Sequence, residues 1–225
     1  MREAVGKKAL SENDRLAAAL RQRYRDEGIL CVNLVSSLGS GKTALLEKTL
    51  ETFPDDTAVA VLTADLQTDN DARRLARYGF PVRQIVTGGT CHLDARMVDR
   101  HLNEMGFHGP GVLFIENVGN LVCPSSYDLG EAAKIVLLSV TEGEDKPLKY
   151  PGIFHRSALM ILTKTHLLAH VEFSAELAVE NARKIHPEID TIALSACTGG
   201  GLDLSMAWLG ALQQKVRHQA AAAIT

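Results

Sequence analysis

The segment Ser36-Ser37-Leu38-Gly39-Ser40-Gly41-Lys42-Thr43 constrains the fold of this chain more than any other. It follows an apolar run at residues 30–35 and precedes a helical pattern at 44–50. Strand, glycine loop and helix in that order is the setting a phosphate-binding loop requires. Gly39, Ser40 and Gly41 let backbone amides converge on phosphate oxygens at a helix N-terminus, with Ala44 just inside the helix. Lys42 reaches the β- and γ-phosphates, and the Thr43 hydroxyl is placed to ligate Mg2+. Ser36 stands where the usual pattern begins with glycine. The plainer alternative is a serine- and glycine-rich turn before a capped helix, but the placement of Gly-Lys-Thr argues against it.

Such a loop belongs at the end of a strand, and the rest of the chain supplies the sheet. Apolar runs at 58–62, 83–86, 112–115, 135–140, 159–162 and 192–194 read as strands. Helical patterns fall between them at 69–78, 94–105, 174–185 and 202–216, and Ser11 caps a polar helix running to about Glu27. The alternation predicts an α/β fold of the P-loop NTPase kind: a mostly parallel, doubly wound sheet with helices on both faces. Ligands then gather at the carboxyl ends of the strands.

Four segments fall there. Glu116-Asn117-Val118-Gly119 follows the run at 112–115: the carboxylate holds a magnesium-bound water, and the Gly119 amide can swing toward a terminal phosphate. Asp65, after the run at 58–62, helps to hold magnesium or to position water, whereas Asp69 reads as a helix cap. Thr163-Lys164-Thr165-His166 occupies the place of the Asn-Lys-x-Asp base reader of nucleotide hydrolases, and Ser195-Ala196-Cys197 that of the loop whose amide meets a guanine oxygen.

A second chemistry is carried by Cys91, His92 and Cys123. Two thiolates and an imidazole suit nickel and zinc alike. Gly88-Gly89-Thr90 supplies the turn that two adjacent ligands need. Spacing alone leaves the bland explanations open, a buried cysteine and a surface histidine. Cys31, inside a strand, and Cys197 read as structural. Four cysteines with no close pair along the chain point to a reducing cytoplasm. Lys+Arg 24 against Asp+Glu 27 gives a net charge of −3, which favours neither nucleic acid nor an anionic membrane as partner.

Several blocks together resemble the nickel-insertion GTPases of hydrogenase maturation, the HypB type. They are Gly39-Ser40-Gly41-Lys42-Thr43, Gln67-Thr68-Asp69-Asn70-Asp71-Ala72, Cys91-His92-Leu93-Asp94-Ala95, the stretch 116–124, and Thr141-Glu142-Gly143-Glu144-Asp145-Lys146-Pro147-Leu148-Lys149-Tyr150-Pro151. The resemblance runs over about residues 11–209. With the helical patterns, the expected organisation is an N-terminal helical extension at 1–27, a P-loop GTPase domain with an embedded metal site at 28–217, and a tail at 218–225.

It also implies a homodimer that binds GTP across or beside its interface, with Lys146 and Lys149 near the base. The metal site falls at that interface, and the partners are a nickel-insertion protein and a hydrogenase large-subunit precursor. Hydrolysis would shift the loop from Glu116 to Cys123 and release the metal. His166 departs from the family's aspartate, which accepts two hydrogen bonds from guanine, so the chemical basis for choosing GTP over ATP is weakened here. The family's closely spaced N-terminal cysteines and histidine-rich tail are not in this sequence, which speaks against metal storage. A non-hydrolysing scaffold and a GTPase serving urease remain the alternatives.

Overall fold

The computed structural model describes residues 2–54, 56–65 and 70–223, with side chains from residue 9 to residue 220. The Gln67, Thr68 and Asp69 positions lie outside the described residues. Seven strands, all parallel, form one sheet in the order β3-β2-β4-β1-β5-β6-β7. They are β1 (Ile29–Ser36), β2 (Val59–Asp65), β3 (Val82–Val86), β4 (Gly111–Gly119), β5 (Ala133–Ser139), β6 (Leu159–Thr163) and β7 (Asp190–Ala193). The order runs outward on both sides of β1, so the topological switch lies at β1, where an open parallel sheet forms its crevice. Every residue of β1 is buried, the mark of a strand covered on both faces.

The helices divide between those faces. Leu30, Val32 and Leu34 pack with Phe114 toward α2 (Lys42–Thr52) and the long C-terminal α8 (Leu202–Ala223). The intervening Ile29 and Cys31 face Leu20, Tyr24 and Leu102 of α1 (Arg2–Glu27) and α4 (Ala95–Met105). This period of two along β1 is the strand pleat expressed as two cores. Between β2 and β3 runs the short α3 (Asn70–Ala76); α5 (Lys146–Lys149) and α6 (Pro151–His155) follow β5, and α7 (Ala175–Ile185) follows β6. Capping fixes where two of them begin. Asp94 accepts from the Met97 amide at the head of α4, and Ser174 from the Leu177 amide at the head of α7. Among the described residues no helix is long and apolar enough to cross a membrane.

Two expectations are corrected. Ser11 does not cap α1: the helix already begins at Arg2, because the residues upstream carry no breaker strong enough to stop it. Glu116 does not end a strand either. Strand β4 continues through it to Gly119, held by pairing with β1 as far as Ser36 opposite Gly119, across a register shift between Leu34 and Ser36. Polar Glu116 and Asn117 hide the last part of the strand from a reading based on apolar runs.

Helix α1 is pressed hard onto the sheet. Ala17, Leu20 and Tyr24, spaced three and four apart, are buried. Gly130 has φ +77°, and a Cβ built there would lie 2.8 Å from the Ala17 carbonyl oxygen and 2.9 Å from the Arg21 nitrogen. Gly130→Ala therefore combines left-handed strain with a backbone clash. It should lower stability by about 2 kcal/mol or more in urea denaturation. An unchanged midpoint would show that α1 yields without cost.

Candidate nucleotide site and metal centre

Gly39 and Gly41 hold φ of +75° and +97°, so the loop between β1 and α2 needs glycine at both positions. The fold buries the Lys42 ammonium stem, and Nζ donates to Ser36 Oγ at 2.9 Å. Burial pushes the Lys42 pKa down, against the pull of Glu116, Asp71 and Glu142. Thr43 Oγ1 donates to Glu116 Oε1 at 2.6 Å. The other carboxylate oxygen, Glu116 Oε2, is buried with no hydrogen-bond partner among the described residues. Native interiors seldom leave such an atom unpaired, and beside a threonine hydroxyl it forms an oxygen pocket suited to a hard divalent cation. Asp65 lies two residues past Thr63, the β2 partner of Glu116, at the same end of the sheet.

The loop is closed from two sides. A Cβ added to Gly119 would lie 2.9 Å from Leu38 Cα, so the end of β4 touches the phosphate loop backbone itself. From the other side, Ser40 Oγ donates to Glu142 Oε1 at 2.7 Å, and Glu142 also accepts the Ser139 amide at 3.1 Å. Burial raises the Glu142 carboxyl, but hydrogen bonds from Ser37, Ser40, Ser139 and Lys146 outweigh it and hold the group below its ordinary value. Lys146 Nζ reaches Ser37 Oγ at 3.2 Å and so stands over the phosphate loop. Lys149 points away, exposed and paired with Asp145 at 2.6 Å. Of the two lysines, the fold brings Lys146 alone against the loop.

Beside Gly41 and Ala44 opens a cavity of about 210 Å3, lined further by Lys164, His166, Ala196 and Cys197. Lys164 has φ +58°, the one described non-glycine residue in the left-handed region. His166 Nδ1 lies 2.8 Å from Ser195 Oγ, tying the loop after β6 to the loop after β7. Ser195 is buried and its hydroxyl accepts the Thr198 amide. Cys197 is exposed and lines this cavity, whereas Cys31 is fully buried in β1; neither joins the group of Cys91, His92 and Cys123.

Across the sheet, one ligand atom each from Cys91, His92 and Cys123 lies within 4.8 Å of the others. The turn before Cys91 is fixed by Gly88 and Gly89 at φ +61° and +95°, and by Thr87 and Thr90 each donating its hydroxyl to the other's carbonyl. The His92 ring stacks on Tyr127 at 3.8 Å. Asn120 joins the two ligand segments, donating to the Cys91 carbonyl at 3.4 Å and accepting the Val122 amide at 2.8 Å. Burial lowers the His92 pKa against the raising effect of Asp94. The neighbouring Cys91 and burial raise that of Cys123. A neutral imidazole beside thiols is a donor set that sheds protons when it takes a soft metal. Four contributors to these sites, Asp71, Asn120, Tyr127 and Glu142, were not among the expected site residues. Asp71, Asn120 and Glu142 do lie inside the blocks that carry the family resemblance.

Burial raises the Glu116 pKa to about 7, with the Thr43 hydrogen bond and Lys42 pulling against it. The folded protein therefore holds a proton that the unfolded chain has lost between about pH 4.5 and 7. This contribution to stability is present at low pH and disappears as pH rises through 7. A shift of that size corresponds to about 3 kcal/mol at most. Glu116→Gln cannot titrate, so its stability relative to the native chain should increase between pH 5 and pH 8 in magnesium-free urea denaturation. A pH-independent difference would contradict this.

Residues 30–193 match the CobW/HypB/UreG nucleotide-binding domain. The hydrogenase maturation factor HypB of Azotobacter chroococcum is 50% identical over 200 residues, covering 89% of this chain and 66% of that protein. The chain thus spans just under two thirds of that relative's length. The solved structure of HypB from Helicobacter pylori in complex with nickel superposes with a TM-score of 0.85 at 39% identity, covering 91% of this chain and 96% of that one. A signal recognition particle 54 kDa protein from Aeropyrum pernix, solved with GDP, shares the fold at 15% identity and a TM-score of 0.54, over 83% of this chain and 49% of that one. With a phosphate loop on β1, a carboxylate on β4 and a Cys-His-Cys cluster beside them, the chain belongs to the CobW/HypB/UreG family, among the HypB hydrogenase maturation factors.

Proposed function

We propose that this chain is a GTP-hydrolysing metallochaperone that binds nickel and helps to insert it into a hydrogenase precursor. The observation that carries the reading is spatial: one strand and its loop hold Glu116 against Thr43 and, a few residues on, present Cys123 to Cys91 and His92. The nickel seen in the Helicobacter relative supports nickel over zinc as cargo. Metal and phosphate thus meet on a single segment.

The nucleotide chemistry follows from positioning and charge. Lys42 leaves Ser36 Oγ for the β- and γ-phosphates, while the amides at 39–41 and of Thr43 and Ala44 wrap the phosphate oxygens. Thr43, Glu116 and Asp65 are the residues that would hold magnesium, and the unpaired Glu116 oxygen fits that role. When bound, magnesium supplies neutralising charge at the β- and γ-phosphates. Water adds to the γ-phosphorus as the bond to the β–γ bridging oxygen breaks, giving GDP and inorganic phosphate. Gly119, already against Leu38, is the backbone that registers the loss of the phosphate and moves the Cys123 loop with it.

Guanine recognition rests on Lys164 packing over the base and on the Ala196 backbone in the cavity beside Ala44, with Ser195 bracing the loop from behind through its bonds to Gly199 and Gly200. Leu38 is 88% exposed and Val122 60%, apolar side chains on the two loops that carry the phosphate and metal groups. Their exposure supports a homodimer closing over this face.

Purified protein should release phosphate from GTP slowly and show a nickel–thiolate absorption band. Lys42→Ala should lose nucleotide binding while keeping that band. Cys123→Ala should lose the band and keep nucleotide affinity. GTP turnover at the level of the Lys42→Ala control would leave a nucleotide-dependent scaffold instead.

The base reader gives a separate expectation. With His166 in place of an acidic acceptor, competition between GTP and ATP should show weaker discrimination than a site that pairs with the base edge, where mismatches leave buried polar groups unsatisfied. His166→Asp should sharpen preference for GTP by about tenfold or more, measured by competition binding. Complete exclusion of ATP by the native chain, unimproved by the variant, would assign the reading to another group.

A further inference from the structure

Between the two sites runs a set of buried polar side chains that neither site uses. Asn117, next to Glu116 on β4, donates from Nδ2 to Asn33 Oδ1 on β1 at 3.2 Å. Its own oxygen accepts the Val118 amide, which fixes the orientation of the side chain. Asn33 Nδ2 donates in turn to Glu131 Oε1 at 3.1 Å, and Lys134 Nζ lies 3.3 Å from the same oxygen. The other Glu131 oxygen accepts the Leu129 amide at 2.7 Å. Lys134 then donates to the carbonyls of Pro124 at 3.0 Å and Tyr127 at 3.2 Å. Asn33 and Asn117 are 0% and 2% exposed, and the Glu131 and Lys134 side chains 7% and 5%.

Where the chain ends is informative. Pro124 follows Cys123 directly, and the Tyr127 ring is the one stacked on His92. The ammonium has three donors and meets three acceptors: one carboxylate and the two carbonyls flanking the metal-facing turn. Where the chain begins is equally so, since Leu34 pairs with Glu116, and Asn33 sits opposite Lys134 in the β1–β5 register. An ion pair this deep in the protein is costly unless fully satisfied, and a well-packed apolar pair of the same volume would serve stability as well.

We propose that Asn117, Asn33, Glu131 and Lys134 form a hydrogen-bonded relay that couples the phosphate-sensing end of β4 to the metal loop, with Lys134 as the positioning residue for Cys123 and His92. The relay rests on the nickel-binding, nucleotide-gated reading above. A shift of Glu116 and Asn117 on phosphate binding moves Asn33 and Glu131, and Lys134 carries the change to the Pro124 and Tyr127 carbonyls. The metal ligands move without either loop having to unfold.

The test measures Ni2+ affinity and the nickel–thiolate absorption band in full-length protein with no nucleotide, with GDP and with a non-hydrolysable GTP analogue. The native chain should differ at least about fivefold in Ni2+ affinity between the GDP and analogue states. Asn33→Leu keeps the branched shape of the side chain, removes its hydrogen bonds and cuts the relay at its middle, away from both sites. It should bind Ni2+ and nucleotide yet lose the difference between states. Lys134→Met should in addition shift the absorption band. Because it leaves Glu131 buried and unpaired, the double variant Glu131→Gln with Lys134→Met stands in for it if the single one does not fold. A native chain that responds to nucleotide, with folded variants that respond just as strongly, would overturn the relay alone. A native chain with no response would overturn the gated reading and the relay with it.

Discussion

The pairing of β1 with β4 positions everything that bears on function. It sets Leu34 beside Glu116 and, past a register shift, Ser36 beside Gly119, so the phosphate loop leaves one strand where its carboxylate and its glycine leave the next. Thr43 Oγ1 and Glu116 Oε1 meet at 2.6 Å because their backbones are already fixed by that ladder. Strand β1 also divides the cores, with alternate side chains packing toward α2 and α8 or toward α1 and α4. A slip of one residue would exchange those two sets and separate the groups at the site.

Burial then gives the polar groups their character. Lys42 and Glu116 sit in surroundings that oppose charge on both, which lowers one pKa and raises the other. Each is short of counter-charge, and a magnesium-bound triphosphate would supply it to both. Glu142 is the contrasting case: it is partly buried, but hydrogen bonds from Ser37, Ser40, Ser139 and Lys146 lower its pKa, so it anchors Ser40 as a carboxylate. The metal cluster follows a third pattern: its donors are gathered by two tight turns and an asparagine bridge, with burial lowering the His92 pKa and the neighbouring Cys91 and burial raising that of Cys123.

Much of this was legible in the chain itself. The apolar runs separated by helical patterns gave the parallel α/β sheet, because buried strands and amphipathic helices leave different periodicities. Gly39-Ser40-Gly41-Lys42-Thr43 marked the phosphate loop, since positive φ at two positions demands glycine. The extent of β4 was not legible. Its last residues are polar, and only pairing with β1 makes them a strand. Nor was Lys134 visible as anything but a charge just before an apolar run, since its partners at 124 and 127 are backbone carbonyls with no sequence signature. The exposure of Cys197 depends on how the loop after β7 opens at the cavity, which local composition does not specify.

The central claim is that phosphate and metal are read by one segment of backbone, so each ligand must alter the affinity for the other by the same factor. The direct measurement is the affinity for a non-hydrolysable GTP analogue, by titration calorimetry with magnesium present, in nickel-free and nickel-loaded protein. A change of at least about fivefold on loading nickel, absent in Cys123→Ala, is the predicted result. Equal affinity in both forms of the native chain would contradict it.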